Sequence, residues 1–93
     1  MAPLDGIRII DLSHVVSGPF CTMTLGDMGA DIIKIEEPGR GDESRAFGPP
    51  FLNGESPYFL SVNRNKRSCT LNLKSDEGLA IFHRLVRNAD VVI

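Results

Sequence analysis

The turn at residues 14–19 is the first place where this sequence could bind a ligand. It reads His-Val-Val-Ser-Gly-Pro and joins an apolar, β-branched run to a segment with helical spacing. Exposed amides and the dipole at a helix start attract anions, and open α/β sheets bind ligands beyond the carboxyl ends of their strands. Phosphate binding and an ordinary capped turn both fit this pattern. Neither a Gly-x-Gly-x-x-Gly nor a Gly-x-x-x-x-Gly-Lys-Ser/Thr motif occurs.

A cluster of basic residues is the second candidate for anion binding. Residues 57–74 contain no acidic residue and four basic ones, Arg64, Lys66, Arg67 and Lys74. Because the formal net charge of the whole chain is -2, this positive charge is local. Arg and Lys side chains suit the phosphate oxygens of a nucleotide-like ligand. A solvated turn with basic side chains is the alternative.

The remaining candidate residues give weaker signals. Glu36 ends a predicted strand, where nucleotide-binding folds place an acid that binds ribose, but acids are common there and a structural role is favoured. His14 has no partner readable from spacing, and His83 is expected to pack or face solvent within a helix. Cys21 and Cys69 lack Cys-x-x-Cys spacing, so we expect buried, reduced thiols and no metal site.

A strand–helix–strand pattern must position the turn. Residues 8–12 are apolar and rich in β-branched side chains, as in a buried strand, and residues 30–36 repeat this pattern. Between them we predict a helix over residues 19–28, with the proline at its first position and Ser17 or Gly18 as its cap. Short joints of this kind favour parallel strands and a right-handed crossover.

Further elements follow in the second half of the chain. Residues 69–73 alternate as a third strand, Ser75 caps a helix that ends near residue 88, and residues 91–93 begin a fourth strand. Both predicted helices have an apolar side. In the first helix that side holds Phe20, Met23, Thr24 and Met28. In the second it holds Leu79, Phe82, His83 and Val86. Gly29 is expected to end the first helix in a left-handed conformation.

The segment from residue 37 to about residue 58 is rich in turn formers and helix breakers. Irregular loops longer than about 12–15 residues in a compact domain are usually functional or covered by a partner. This loop also carries four aromatic residues, Phe47, Phe51, Tyr58 and Phe59. We therefore expect the loop to pack against the domain or against another polypeptide segment.

Length and charge exclude several classes of protein. Ninety-three residues form one small domain at most. We therefore predict that residues 1–93 belong to a single domain, and a two-domain enzyme is excluded for this length. A net charge of -2 provides no global positive field for nucleic acid or for an acidic membrane. No apolar run reaches the roughly 20 residues of a membrane span, and the start lacks a secretory pattern. We expect a cytoplasmic protein without nucleic-acid or membrane partners.

Taken together, six segments resemble the amino-terminal region of the class III CoA-transferase family. They are Pro3–Leu12, Ser17–Phe20, Leu25–Asp31, Ile33–Glu36, Gly41-Asp42 and Asn65–Ser68. The family includes formyl-CoA transferase, carnitine CoA-transferase and α-methylacyl-CoA racemase. The resemblance implies an α/β fold, namely a Rossmann-like parallel sheet with flanking helices. It further implies that the chain is the incomplete start of a larger interlocked homodimer and is truncated within a strand.

The resemblance also implies coenzyme A as the ligand, bound as an acyl-CoA substrate. Family contacts to CoA map onto six residues, Val16, Ser17, Leu71, Asn72, Leu73 and Lys74. Lys74 would meet a phosphate, whereas the first two residues would border the thioester. Two differences from formyl-CoA transferase stand out. Val16 replaces a glutamine, which argues against formate or oxalate chemistry, and Glu37 replaces a CoA-binding arginine, for which Arg40 could compensate.

The family's nucleophile is an aspartate downstream of this region, so the resemblance implies no catalytic residue in this chain. A carboxylate nucleophile would divide acyl transfer into easier covalent steps. We accordingly expect the chain alone to be inactive and to fold only marginally or to self-associate, since a chain this short leaves a strand edge open. An acyl-CoA racemase segment and a non-catalytic nucleotide-binding module are the two alternatives.

Overall fold

A parallel sheet forms the centre of the molecule. The computed structural model describes residues 1–93. The strands are β1 (Arg8–Asp11), β2 (Asp31–Glu36), β3 (Lys66–Thr70) and β4 (Val91–Val92). The helices are α1 (Ser17–Asp27), α2 (Pro57–Ser61) and α3 (Asp76–Arg87), with a short 3₁₀ helix at Glu43–Ala46. All strand pairs are parallel and the order is β3-β2-β1-β4, which confirms the predicted fold class and matches the first four strands of the six-stranded Rossmann order.

The two faces of the sheet differ in chemistry because side chains alternate along each strand. One face, here called the apolar face, carries Ile10, Ile33 and Ile35, and these pack with Leu71. Helix α3 covers this face with two partly buried side chains, Phe82 and Leu85, and Ala89 packs there just after the helix ends. Burial of these side chains is the main hydrophobic contribution to the fold.

The opposite face, here called the charged face, carries Asp11, Lys34, Glu36 and Lys66, each almost completely buried. Only its amino-terminal end is apolar, where Ile9 and Ile32 pack against Leu25 of α1. Buried charges persist in proteins when they are paired and hydrogen-bonded. Asp11 and Lys66 pair with each other. Lys34 and Glu36 instead pair with residues of the long loop, so this face holds the loop against the sheet.

Helix α1 differs from its prediction. It begins at Ser17 after Val16, without a side-chain cap, so the expectation of Ser17 or Gly18 as the cap was wrong. Its predicted apolar side was also wrong, since Phe20 is 56% exposed and Met28 42% exposed. The buried residues of α1 are Pro19, Thr22 and Met23, because the helix covers the charged face of the sheet.

Strand β3 begins and ends three residues earlier than predicted, at Lys66–Thr70 rather than 69–73. The prediction followed apolar alternation, which fails where Lys66 points inward to a buried carboxylate. Leu71 and Leu73 still pack on the apolar face, beyond the end of the strand.

The remaining local predictions are confirmed in part. Gly29 has φ +104° and ends α1, and Ser75 caps α3 by accepting the Gly78 amide at 3.0 Å. On α3, Phe82 packs inward as predicted, whereas Leu79 is 40% exposed. Cys21 is exposed, so the prediction that it is buried was wrong. None of the helices is both long and apolar enough to cross a membrane.

The aromatic residues of the long loop and of α2 pack on the domain only in part. Phe59 on α2, a helix that sequence reasoning missed, is buried, and the Arg45 guanidinium lies 3.9 Å from its ring centroid. Phe47 packs edge-on against Tyr58 with ring centroids 5.1 Å apart. These two rings and Phe51 nevertheless remain 39–48% exposed. The expected packing is therefore only partly provided by these 93 residues.

Candidate functional site

A cavity of about 500 Å³ lies at the carboxyl ends of β1, β2 and β3. Parallel α/β sheets place their ligand sites at this edge, because the loops that follow the strands converge there. The lining residues are Leu12, His14, Ile35, Glu37, Pro38, Leu71, Asn72, Leu73 and Lys74. The lining therefore combines an apolar floor with a small number of polar groups at the rim, which suits a ligand with both apolar and charged parts.

The start of α3 fixes one wall of the cavity. Ser75 Oγ donates to Asn72 O at 2.9 Å, and the Lys74 amide donates to Asn72 Oδ1 at 3.0 Å. A Cβ atom on Gly78 would lie 2.0 Å from Asn72 O, so only glycine permits this close approach. The segment 71–74 is thus held by hydrogen bonds and by close packing against a regular helix.

The six predicted ligand residues divide into two groups. Leu71, Asn72, Leu73 and Lys74 all line the cavity. Val16 and Ser17 do not line it, but both are exposed and follow His14, which does. Residues 71–74 therefore lie together at the cavity. Val16 and Ser17 lie next to it, in the turn that begins with His14 at the cavity rim.

The basic cluster does not form a single anion site. Arg64 pairs with Asp27 at 2.6 Å, and Arg67 pairs with Asp31 at 2.7 Å. Lys66 is buried and lies 3.2 Å from Asp11 Oδ2. All three are on or before β3, at the far end of this strand from the cavity. Lys74 alone reaches the cavity, so the prediction of four basic residues acting together was wrong.

Two buried ion pairs hold the turn between β1 and α1. In the first pair, Asp11 accepts hydrogen bonds from Thr22 Oγ1 at 2.6 Å and from the Ser13 amide at 2.8 Å, while Lys66 Nζ donates to Pro19 O at 3.0 Å. Burial raises the pKa of Asp11, but hydrogen bonds from Ser13 and Thr22 outweigh it and lower the pKa overall. Burial lowers the pKa of Lys66 more than the nearby Asp11 raises it.

In the second pair, Lys34 Nζ lies 2.8 Å from Asp42 Oδ2 and donates to Ser13 O at 2.9 Å. Asp42 Oδ1 accepts from the Val15 amide at 3.2 Å and from the Ser44 amide at 2.9 Å. Burial raises the pKa of Asp42, yet hydrogen bonds from Lys34 and Ser44 lower it well below the usual range. One carboxylate therefore connects the long loop, the sheet and the turn.

Glu36 has a structural role, as favoured from the sequence. Arg45 donates to both of its carboxylate oxygens at 2.7 and 2.8 Å, and the Asp42 amide and the Ser68 hydroxyl donate as well. Burial raises the pKa of Glu36, but these hydrogen bonds outweigh it and lower the pKa to about 2. Its oxygens are occupied, so no capacity is left for a ribose hydroxyl.

The neighbouring charged residues differ in their access to the cavity. Glu37 lines it, whereas Arg40 does not and lies 3.9 Å from Glu37 at its closest approach. Sequence reasoning missed the roles of Lys34 and Asp42. The available signal was a single lysine inside the Ile-Ile-Lys-Ile run of β2, which predicts a buried partner.

The fold and the cavity define the class of this protein: an α/β module with a cavity at the carboxyl edge of a Rossmann-like sheet. Comparison with known families gives a narrower assignment. The family model described as CoA-transferase family III matches residues 4–93. The chain therefore belongs to CoA-transferase family III, which confirms the resemblance drawn from the six sequence segments.

Individual relatives agree with this family. The chain is 55% identical over 93 residues to the succinyl-CoA:glutarate CoA-transferase of Mus musculus, covering 100% of this chain and 21% of the relative. It is 52% identical over 90 residues to the acetyl-CoA:oxalate CoA-transferase of Acetobacter aceti, covering 97% of this chain and 23% of the relative. Relatives of similar identity thus differ in their named acid, so similarity over this region does not select one acid.

A solved structure agrees as well. The crystal structure of a CAIB/BAIF family protein from Brucella suis superposes with a TM-score of 0.91 at 43% identity, covering 98% of this chain and 25% of that chain. The sequence spans about a fifth to a quarter of the length of these relatives.

Proposed function

We propose that this chain is the amino-terminal, CoA-binding segment of an enzyme that transfers CoA between an acyl-CoA and a carboxylic acid. The observation that carries the proposal is the cavity at the carboxyl edge of the sheet, whose lining includes Leu71, Asn72, Leu73 and Lys74. Membership of the family supports the reaction class. CoA-transferases act on CoA thioesters, so CoA belongs to the substrate and no resident cofactor is needed.

The lining suggests how CoA would be bound. The cavity has an apolar floor formed by Leu12, Ile35 and Leu71, which suits the uncharged parts of the ligand. Lys74 has no carboxylate partner and can place its charge beside a phosphate. Val16 and Ser17 lie in the adjoining turn, where they would border the thioester end of the same molecule.

The covalent chemistry would occur outside these residues. An aspartate carboxylate attacks the thioester carbonyl, the carbon–sulfur bond breaks, and CoA leaves as a thiolate while an acyl-aspartyl anhydride forms. The thiolate and the acceptor acid then exchange through further covalent intermediates, which returns the free aspartate. We assign no nucleophile to this chain, and we propose that residues 1–93 alone do not catalyse the transfer. We further propose that the complete protein is cytoplasmic and forms a homodimer. The exposed aromatic residues of the loop support the homodimer, because they offer apolar surface to a second subunit.

Isothermal titration calorimetry tests the ligand assignment. We expect CoA to bind the complete protein more tightly than NAD. Lys74→Met should weaken CoA binding about ten- to a hundredfold, because a charge-assisted phosphate contact is worth on the order of 1.5–3 kcal/mol. Arg84→Met is the matched control, since it removes one exposed positive charge from α3, outside the cavity. Tighter binding of NAD, or equal losses in the two variants, would contradict the assignment.

A further inference from the structure

The segment from Ser13 to Val15 is held in an unfavourable backbone conformation. Val15 has φ +71°, a left-handed value that β-branched residues rarely adopt. Such strain persists only when surrounding contacts impose it. The turn therefore needs specific partners, and these can be read from its hydrogen bonds.

Two of those partners come from a single ion pair. Lys34 Nζ donates to Ser13 O at 2.9 Å, and the Val15 amide donates to Asp42 Oδ1 at 3.2 Å. The two side chains lie 2.8 Å apart and are 2% and 0% exposed. The pair thus contacts the turn on both sides of His14, immediately before the residues proposed to border the thioester.

Asp42 also belongs to the long loop rather than to the sheet. Its amide donates to Glu36 Oε1 at 2.8 Å, and its carboxylate caps the 3₁₀ helix at Ser44. Gly41 has φ +66°, and a Cβ atom there would lie 2.6 Å from Glu36 Oε1. These contacts to β2 hold the loop so that the Asp42 carboxylate lies beside the turn.

We propose that Asp42, supported by Lys34, is a positioning residue that holds the turn at residues 13–17 in the conformation that receives the ligand. This inference rests on the proposed function for its ligand, CoA. Without the pair, the turn would populate other conformations, and the apparent affinity would fall by the fraction that remains competent. The structural contact between Asp42 and the turn can be tested without any ligand.

The test uses the complete protein with Asp42→Ala and with Lys34→Met/Asp42→Ala. The double variant leaves no unpaired buried charge, so it stays measurable if the single variant fails to fold. Ile33→Val is the control, because it weakens the apolar face without touching the turn. Hydrogen–deuterium exchange of a peptide covering residues 12–20 reports on the turn, and calorimetry reports CoA affinity.

We expect exchange in residues 12–20 to become about tenfold faster in the double variant and CoA binding to become about tenfold weaker. The control should change each quantity less than about twofold. Adding Val15→Gly to the double variant should recover part of the affinity, because glycine adopts positive φ without strain. If Asp42 contributed only to overall stability, adding Val15→Gly would not restore CoA affinity.

The outcomes separate the two proposals. If the wild-type protein binds no CoA, the proposed function fails, and the exchange of residues 12–20 still decides whether Asp42 holds the turn. Unchanged exchange in the folded double variant would overturn the positioning role. Faster exchange with unchanged CoA affinity would overturn it as well, because the turn would then not shape the ligand site.

Discussion

The two faces of the sheet stabilise the protein in different ways. The apolar face presents Ile10, Ile33 and Ile35 to one amphipathic helix, and this packing is non-directional. The charged face presents Asp11 and Lys34 to a turn and a long loop through contacts with defined donors and acceptors. The comparison shows that non-directional apolar packing is concentrated on one face of the sheet, whereas the directional contacts that hold the turn after β1 are concentrated on the other.

This division predicts different responses to substitution. On the apolar face the loss should follow the volume removed, because transfer and cavity energies dominate. On the charged face the loss should depend on whether a buried charge is left without its partner. The following four predictions test this contrast, and each refers to the free energy of unfolding of the complete protein unless another quantity is given.

The largest effect is expected for Lys34→Met. This change leaves the Asp42 carboxylate, which is 0% exposed, without its counter-ion. Breaking a buried pair by removing one partner typically destabilises by about 3–5 kcal/mol. Urea denaturation measures the loss. The double variant Lys34→Met/Asp42→Ala should recover much of this stability, and a double variant that is less stable than Lys34→Met would contradict the argument.

Acid should produce the next largest effect. The folded pKa of Glu36 is about 2 against an ordinary value of 4.5, so the unfolded state binds more protons between these values. The stabilisation that the Glu36 carboxylate contributes is complete above pH 4.5 and is lost as the pH falls toward 2. The loss amounts to about 3 kcal/mol. It should be visible as a falling midpoint in urea titrations at decreasing pH.

Two variants assign that acid response to Glu36. Glu36→Gln should reduce the pH dependence, because one titrating carboxylate is removed, while Asp42 and Asp11, whose pKa values are also lowered, account for the remainder. Glu43→Gln changes an exposed carboxylate on the same loop and should retain the slope. An equal slope in wild type and Glu36→Gln would show that other groups account for the response.

A smaller effect is expected for Gly78→Ala at the edge of the apolar face. Alanine normally stabilises a helix relative to glycine, but here its Cβ would lie 2.0 Å from Asn72 O. We expect destabilisation of about 1–3 kcal/mol and weaker CoA binding, because the wall at residues 71–74 must move. Gly26→Ala in α1, whose nearest neighbour lies 3.2 Å away, is the control and should change stability by less than about 1 kcal/mol. Increased stability of Gly78→Ala would refute the close approach.

The smallest effect is expected for Ile10→Val. This substitution removes one methylene from a residue that is 0% exposed on the apolar face. Thermal or urea unfolding should show a loss of about 1 kcal/mol, and the exchange of residues 12–20 should stay unchanged. A change in the turn after this substitution would mean that the two faces are coupled, contrary to the comparison.

Much of the fold could be predicted because it depends on local pattern. The apolar runs of β1 and β2, the cap at Ser75 and the left-handed Gly29 all follow from residue type and spacing. The errors in the bounds of β3 and in the buried side of α1 share one cause. Lys66 interrupts the apolar pattern of β3, and Thr22 is a buried polar residue of α1, because both contact Asp11 across the charged face.

The candidate site was predictable only in part. Residues 71–74 line the cavity because they follow a strand, and the carboxyl ends of parallel strands converge. The basic cluster was misinterpreted, since Arg64 and Arg67 find aspartate partners on α1 and β2 that lie far away in the sequence. Such pairings depend on how the elements pack, and no spacing rule reveals them.

The amino-acid sequence alone was sufficient to establish the α/β class, the parallel strand–helix–strand unit and the similarity to CoA-transferase family III, because periodicity and ordered motifs are local properties. Only the tertiary structure shows which charged residues pair inside the protein. Lys34 and Asp42 are separated by a turn-rich segment, and only the approach of the long loop to β2 brings them to 2.8 Å. A buried ion pair requires both partners to lose water together, so its existence is decided by packing and not by either residue.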